Sequence, residues 1–314
     1  MLAIGMSLLF LGCACTDPNV IPPITAVRAP ADLGKNALGH VTILVSYGPR
    51  HTGAVGWTNG INYISNQLTA MGLNPVKDTW LNGVEGLSFT NISVTLPGKS
   101  KDKIVIGCHH DTKKCQGHPD PAHNFSFVGA NDSGSGVGLL LELARVLKDK
   151  DRKATYELVF FDGEESLPWK WDIDRALFGS KRYVRRYEQA MLDDPSGPKI
   201  QAFMLVDMVG AKDLQIDEEE NSDQDLRDVL FKAAQAAGHE KYFFQNRLPV
   251  IDDHIPFVNA GIRSIDLIDI HVNDEWHTEK DVLAHLSADS LHVVGEVVLT
   301  ALPAIEKRYF TAVK

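Results

Sequence analysis

Short apolar runs alternate with helical repeats along most of this chain, and that alternation restricts its fold more than any other feature. Ile61, Ile64, Leu68 and Met71 recur at helical spacing and stop at Gly72. Ile92, Val94 and Leu96 alternate with Ser93 and Thr95, and Pro97-Gly98 closes that strand. Buried strands are expected at 103–107, 156–162, 202–208 and 264–268, with helices at 137–147 and 291–302. Interleaved strands and helices predict an α/β class, a three-layer αβα arrangement around a largely parallel mixed central sheet. With 314 residues, 44% hydrophobic and 23% charged, the chain can bury one substantial core. A disordered, collagenous or multi-pass membrane chain is excluded. Asp and Glu number 41 against 31 Lys and Arg, a net charge of −10 with no basic cluster, which argues against nucleic acid as a partner.

The N-terminus reads differently from the rest. Residues 2–15 are apolar apart from Ser7, and a bilayer span takes about 20 residues, so the stretch suits an export signal and not a membrane span. Gly12-Cys13 and Ala14-Cys15 each set a small residue before Cys, as lipoprotein signals do, although no Lys or Arg precedes the run. The expected organisation is a signal peptide or lipoprotein signal at 1–15, a linker rich in Pro, Ala and Asp at 16–36, and one catalytic domain at 37–314. Export to the periplasm, or a lipid anchor at Cys13 or Cys15, follows as the expected location. The other two cysteines, Cys108 and Cys115, could form a small disulfide or stay as thiols. Without a C-x-x-C pair, a Cys-type structural metal site is not expected.

Functional residues of such sheets gather beyond the carboxyl ends of the strands. His109, His110 and Asp111 follow the run at 103–107, and Asp132 lies in the Gly-rich segment before the next helix. Asp162, Glu164 and Glu165 follow Phe160-Phe161. Asp207 stands inside an apolar run, between Leu205-Val206 and Met208-Val209. A carboxylate in such a setting needs a cation or a hydrogen-bond network. Little Lys or Arg surrounds the Glu pair, so a metal is the economical partner. Asp, Glu and His without Cys suit catalytic Zn²⁺. Asp252-Asp253-His254 and Glu275-Trp276-His277-Thr278 complete the set; His254 reads as structural, and Asp217 to Glu220 as a solvated loop.

Taken together, His109-His110-Asp111, Gly129 to Gly136, Glu164-Glu165, Asp207 and His277-Thr278, in that order, resemble the zinc aminopeptidase family and its glutaminyl cyclase branch. Ser46 to His51 resembles that family's opening segment, and the resemblance runs from about residue 40 to 305. Phe160 to Glu165, Asp252 to Phe257, and Trp276 beside His277 resemble the cyclases in particular. Trp171 matches their pocket tryptophan if one inserted residue is allowed, with Trp169 as its competitor. Ile251 departs from the cyclases, where Gln is common. The usual disulfide partner of Cys108 would fall near Val137, so by resemblance Cys115 would have to replace it.

The resemblance implies a glutaminyl-peptide cyclotransferase acting on peptide or protein N-termini. Asp132, Glu165 and His277 would hold one Zn²⁺, Glu164 would shuttle the proton, and Asp207 and Asp252 would form a network around the leaving nitrogen. Trp171 and Trp276 would wall the substrate pocket. The alternative is a dizinc aminopeptidase, in which His109 and Asp207 complete a second metal site and Asp132 bridges. A binding protein that kept the fold without catalysis is the third reading; loss of a ligand or of the Glu base would mark it, and none is missing.

Overall fold

The computed structural model of the chain describes residues 21–271 and 274–310. The segment read as an export signal, 1–15, lies outside them with the first residues of the linker. The helices are α1 (Leu33–Ser46), α2 (Val55–Ala70), α3 (Gly134–Leu147), α4 (Phe178–Asp193), α5 (Gln224–Ala237), α6 (Ile255–Asn259) and α7 (Ala288–Tyr309). The strands are β1 (Val76–Asn82), β2 (Leu87–Leu96), β3 (Lys103–His109), β4 (Thr155–Phe161), β5 (Ile200–Asp207), β6 (Ile216–Glu219), β7 (Phe243–Leu248) and β8 (Ser264–Ile268).

Six strands form one sheet in the order β1-β2-β4-β3-β5-β8. The β4-β3-β5-β8 part is parallel, and β2 and β1 add an antiparallel edge. β6 and β7 pair separately. The two-residue side-chain period of a strand explains why the central runs read as continuously apolar. Ile104, Ile106, Leu158, Phe160, Met204 and Val206 face a large core that also holds residues of α1, α2, α3, α5 and α7. Val105, Val159, Phe161, Phe203 and Leu205 face a smaller one with Val184 of α4 and Phe257 of α6. The expected three-layer αβα class is the class observed.

Two local readings change, and a third that was open is resolved. First, α1 begins at Leu33, within the stretch read as a linker, and Leu33, Ala37, Val41 and Leu44 are buried. The residues just before it lie along α7, where the Val27 N–H meets Thr300 Oγ1 at 3.0 Å and the Ala29 N–H meets Glu296 Oε2 at 3.1 Å. Second, Asp217 to Glu220 is not a solvated loop. Ile216–Glu219 is β6, and Asp217 and Glu219 are buried, with backbone N–H groups reaching Asp217 Oδ2 and Glu219 Oε1. Third, Cys108 and Cys115 are both buried free thiols. Among the described residues α7 alone is long and apolar enough to cross a membrane, yet 72% of its apolar window is buried in the fold, so its hydrophobicity serves the core.

Candidate active site

Parallel pairing of β3, β4 and β5 brings their carboxyl ends to one edge, and the site is assembled there. His109 ends β3 and Asp207 ends β5, while Glu164 and Glu165 lie just past β4. Asp132 precedes α3, and His277 comes from the loop after β8. His109, Asp132, Glu164, Glu165 and Asp207 are all buried, and His277 is nearly so.

Two carboxylates hold the backbone that presents these groups. Asp111 Oδ1 accepts the N–H of Gly163 at 2.9 Å and of Glu164 at 3.2 Å, and its Oδ2 accepts that of Glu165 at 3.3 Å. Asp281 accepts the N–H of Asn131 at 2.7 Å and of Asp132 at 3.1 Å. The buried Arg50 guanidinium donates to the carbonyls of His110, Val128 and Gly129, tying the Asp132 segment to the end of β3. Gly163 has φ +69, and a Cβ there would meet Phe89 at 2.5 Å, so only glycine makes the turn into the Glu pair. Met208, after Asp207, and His277 itself lie at φ +50 and +53, a costly region for non-glycine residues that the surrounding structure must impose.

The side chains converge in two groups that share Asp132. His277 Nε2 lies 3.0 Å from Glu165 Oε1 and 3.3 Å from Asp132 Oδ2. His109 Nε2 lies 3.1 Å from Asp132 Oδ1 and 3.4 Å from Asp207 Oδ1. Within each group the ligand atoms fall within 4.8 Å of one another, close enough to hold a metal ion. Asp132 Oδ2 and both ring nitrogens of His109 are buried without hydrogen-bond partners, while Glu165 Oε2 lies 3.6 Å from the buried Lys113 ammonium, a cation near the Glu pair that the sequence did not suggest. Such unsatisfied polar atoms in a dry site fit a cation between them. Burial works against the charged forms, yet Glu165 and Asp132 push His277 up to about 10, and the two imidazoles hold Asp132 well below the ordinary carboxylate range.

Beside these groups sits a second set of acids. Burial, and then the Asp252 carboxylate, push Glu164 well above its ordinary range, so it carries a proton readily. Burial and Asp207 do the same to Asp252. Two residues past Asp252, His254 is fully buried between Glu219 Oε2 at 3.2 Å and Asp266 Oδ2 at 3.5 Å, a structural bridge as its sequence position suggested.

Aromatic rings wall the site. Trp276, 44% exposed, stacks on His277 at 4.3 Å, and Phe127 meets the same ring edge-on at 5.8 Å. Trp169, not Trp171, is the second tryptophan brought to His277: its ring lies 6.1 Å away and stacks on His123 at 4.0 Å. Trp171 is 36% exposed. Lys113 holds this loop by donating to the Ser166 and Pro168 carbonyls just before Trp169. Lys113 and Asp281 were not picked out from sequence. Lys113 lies two residues past Asp111, a spacing that offered a hint, whereas nothing in the sequence around Asp281 marks it.

Residues 91–302, more than half of the chain, match peptidase family M28. The chain belongs to that family. This M28 chain is 32% identical over 241 residues to the glutaminyl-peptide cyclotransferase-like protein of Bos taurus, covering 69% of the chain and 60% of that relative. It therefore spans about three fifths of the relative's length. Its fold is similar to an Acidobacteriales bacterium glutaminyl cyclase, with TM-score 0.78, 32% identity, and 90% and 100% of the two chains covered. It is also similar to a leucine aminopeptidase precursor from Bacteroides thetaiotaomicron, with TM-score 0.76, 27% identity, and 89% and 98% covered.

Proposed function

We propose that this M28 chain is a glutaminyl-peptide cyclotransferase that closes an N-terminal Gln into pyroglutamate and releases ammonia. The observation that carries the reading is Glu164, a buried carboxyl pushed well above its ordinary range by burial and Asp252, beside the Asp132–Glu165–His277 group. Cyclisation forms a bond between the α-amino nitrogen and the side-chain amide carbon and breaks that carbon's bond to the departing nitrogen. One proton must leave the attacking amine and one must reach the leaving group. A single carboxyl within reach of both nitrogens does both. Glu164 takes the first role and the second in turn. Asp252 and Asp207 hold the departing nitrogen by hydrogen bonds and keep Glu164 basic or acidic as the step requires. Trp276 and Trp169 flank the substrate, keep water out and hold the amine near the amide carbon. A Zn²⁺ ion held by Asp132, Glu165 and His277 would supply Lewis-acid polarisation of the side-chain carbonyl. The test is ammonia release from a Gln-initiated peptide and from its Ala-initiated twin: release from the first alone supports the reading, and release from neither refutes it.

One observation favours a second reading. His109 and Asp207 form a second group with Asp132, whose two oxygens are divided between His109 and His277. Asp132, His109 and Asp207 would hold a second metal ion, which would supply Lewis-acid activation of water, as an aminopeptidase needs. There Glu164 would activate water, and the product would be a free amino acid. A zinc content of one per active chain supports the cyclase, and two supports the peptidase.

The single catalytic unit is proposed to include α1 and the segment before it, since Ile21 and Leu33 belong to the main core. Residues 1–15 are proposed as an export signal, with lipid attachment at Cys13 or Cys15. The support is the apolar run at 2–15 with its small-residue–Cys pairs. Palmitate labelling of the expressed chain, lost in a Cys13→Ser, Cys15→Ser double variant, would establish the anchor; no labelling would remove it.

A further inference from the structure

A second carboxylate pair lies apart from the active site. Asp217 in β6 and Asp269, just past β8, are both fully buried. Asp217 Oδ2 accepts the backbone N–H of Ile270 and of His271, each at 3.0 Å. Asp269 Oδ2 accepts the backbone N–H of Gln215 at 3.0 Å. Each side chain is thus anchored within two residues of the other, and the two carboxylates lock β6 against the segment after β8. In both, the remaining oxygen, Oδ1, is buried and has no hydrogen-bond partner. Among the described residues no Lys, Arg or His side chain pairs with either. Asp269 also lines a cavity of about 260 Å³ with Lys212, Asp213, Glu275 and His285.

Two buried carboxylates, each with one oxygen left without a partner, are costly, and an ion of charge +2 bound to those oxygens would offset that cost. We propose that Asp217 and Asp269 form a binding site for a divalent cation of the calcium class. The donors are all oxygen, which suits a hard ion and disfavours zinc. Asp269 sits on irregular backbone and lines a cavity with room for water ligands, which calcium tolerates and magnesium does not. Proximity of Asp217 and Asp213 fits the same picture, since burial first, and then those two carboxylates, push Asp269 up to about 7. The ion would tie β6 to the segment that runs on to Trp276 and His277. It is independent of the activity proposed above.

The competing arrangement is a proton shared between the two carboxyls. Equilibrium dialysis of the zinc-loaded full chain against radioactive calcium separates them. One equivalent of calcium is expected, with affinity reduced at least tenfold in Asp269→Asn and in Asp217→Asn, and calcium should raise the Tm of the wild type only. No bound calcium, or calcium held equally well by both variants, overturns the proposal. So does an Asp269→Asn protein as stable as wild type in saturating calcium. Should neither variant fold, anomalous scattering from wild-type crystals grown with terbium decides: a peak between Asp217 and Asp269 supports the site, and none there refutes it.

Discussion

Asp111 accepts the backbone N–H of Glu164 at 3.2 Å while its other oxygen accepts that of Glu165 at 3.3 Å, so one carboxylate sets the direction of both residues of the Glu pair. Its Oδ1 also lies 3.6 Å from His109 Nδ1. Asp111→Asn keeps one acceptor oxygen and presents an amide to backbone N–H groups. Zinc affinity is expected to fall about 10–100-fold, as for other partners of metal ligands, with kcat falling too. Zinc retention through dialysis against a graded chelator series checks this; unchanged affinity would mean that the loop holds itself.

Glu164→Gln keeps the size of the side chain and removes its proton chemistry. Turnover is expected to drop by about 10²–10⁴-fold, the usual yield of a positioned acid-base group, while zinc content stays at the wild-type value. Parallel kinetics and metal analysis test it. Activity within tenfold of wild type would remove Glu164 from the proton transfer.

The two tryptophans of the loop after the Glu pair should separate. Trp169 lies against the His277 ring and Trp171 is half exposed, so Trp169→Ala should raise KM by about 2–10-fold, the value of one aromatic contact, and Trp171→Ala should leave it unchanged. The opposite pattern would restore Trp171 as the pocket wall.

The parallel strands β3, β4, β5 and β8 were legible because they are buried on both faces, and several end on groups that apolar surroundings do not tolerate without a partner. That applies to Asp207 at the end of β5 and to Glu164 and Glu165 past β4, whose cost on burial is visible in the residues alone. The order of the motifs then brought in Asp132 and His277. What stayed hidden depends on contacts between distant segments. Asp281 matters through the N–H groups of Asn131 and Asp132, some 150 positions earlier, and β6 looks solvated until Glu219 is seen to accept the Val250 N–H. The Trp169 loop turns on where Lys113 finds carbonyls, which no local pattern encodes.

Glu219 gives the fold a defined acid limb. Burial raises its pKa, but His254 and the N–H groups of Asn221 and Val250 outweigh that and bring it from the ordinary 4.5 to about 2. A depressed folded-state value stabilises the fold above the ordinary value, and that contribution is lost as pH falls from about 4.5 through about 2. Urea unfolding across that window should show a weaker pH dependence for Glu219→Gln than for the wild type. Parallel curves would place the acid sensitivity elsewhere.

The central claim is the reaction itself, and the most direct test is the mass of the product formed from a Gln-initiated peptide by the purified, zinc-loaded chain. Loss of ammonia, about 17 Da, beyond the spontaneous rate and absent with Glu164→Gln, is the expected result. Loss of the whole first residue would contradict it and make this M28 chain an aminopeptidase.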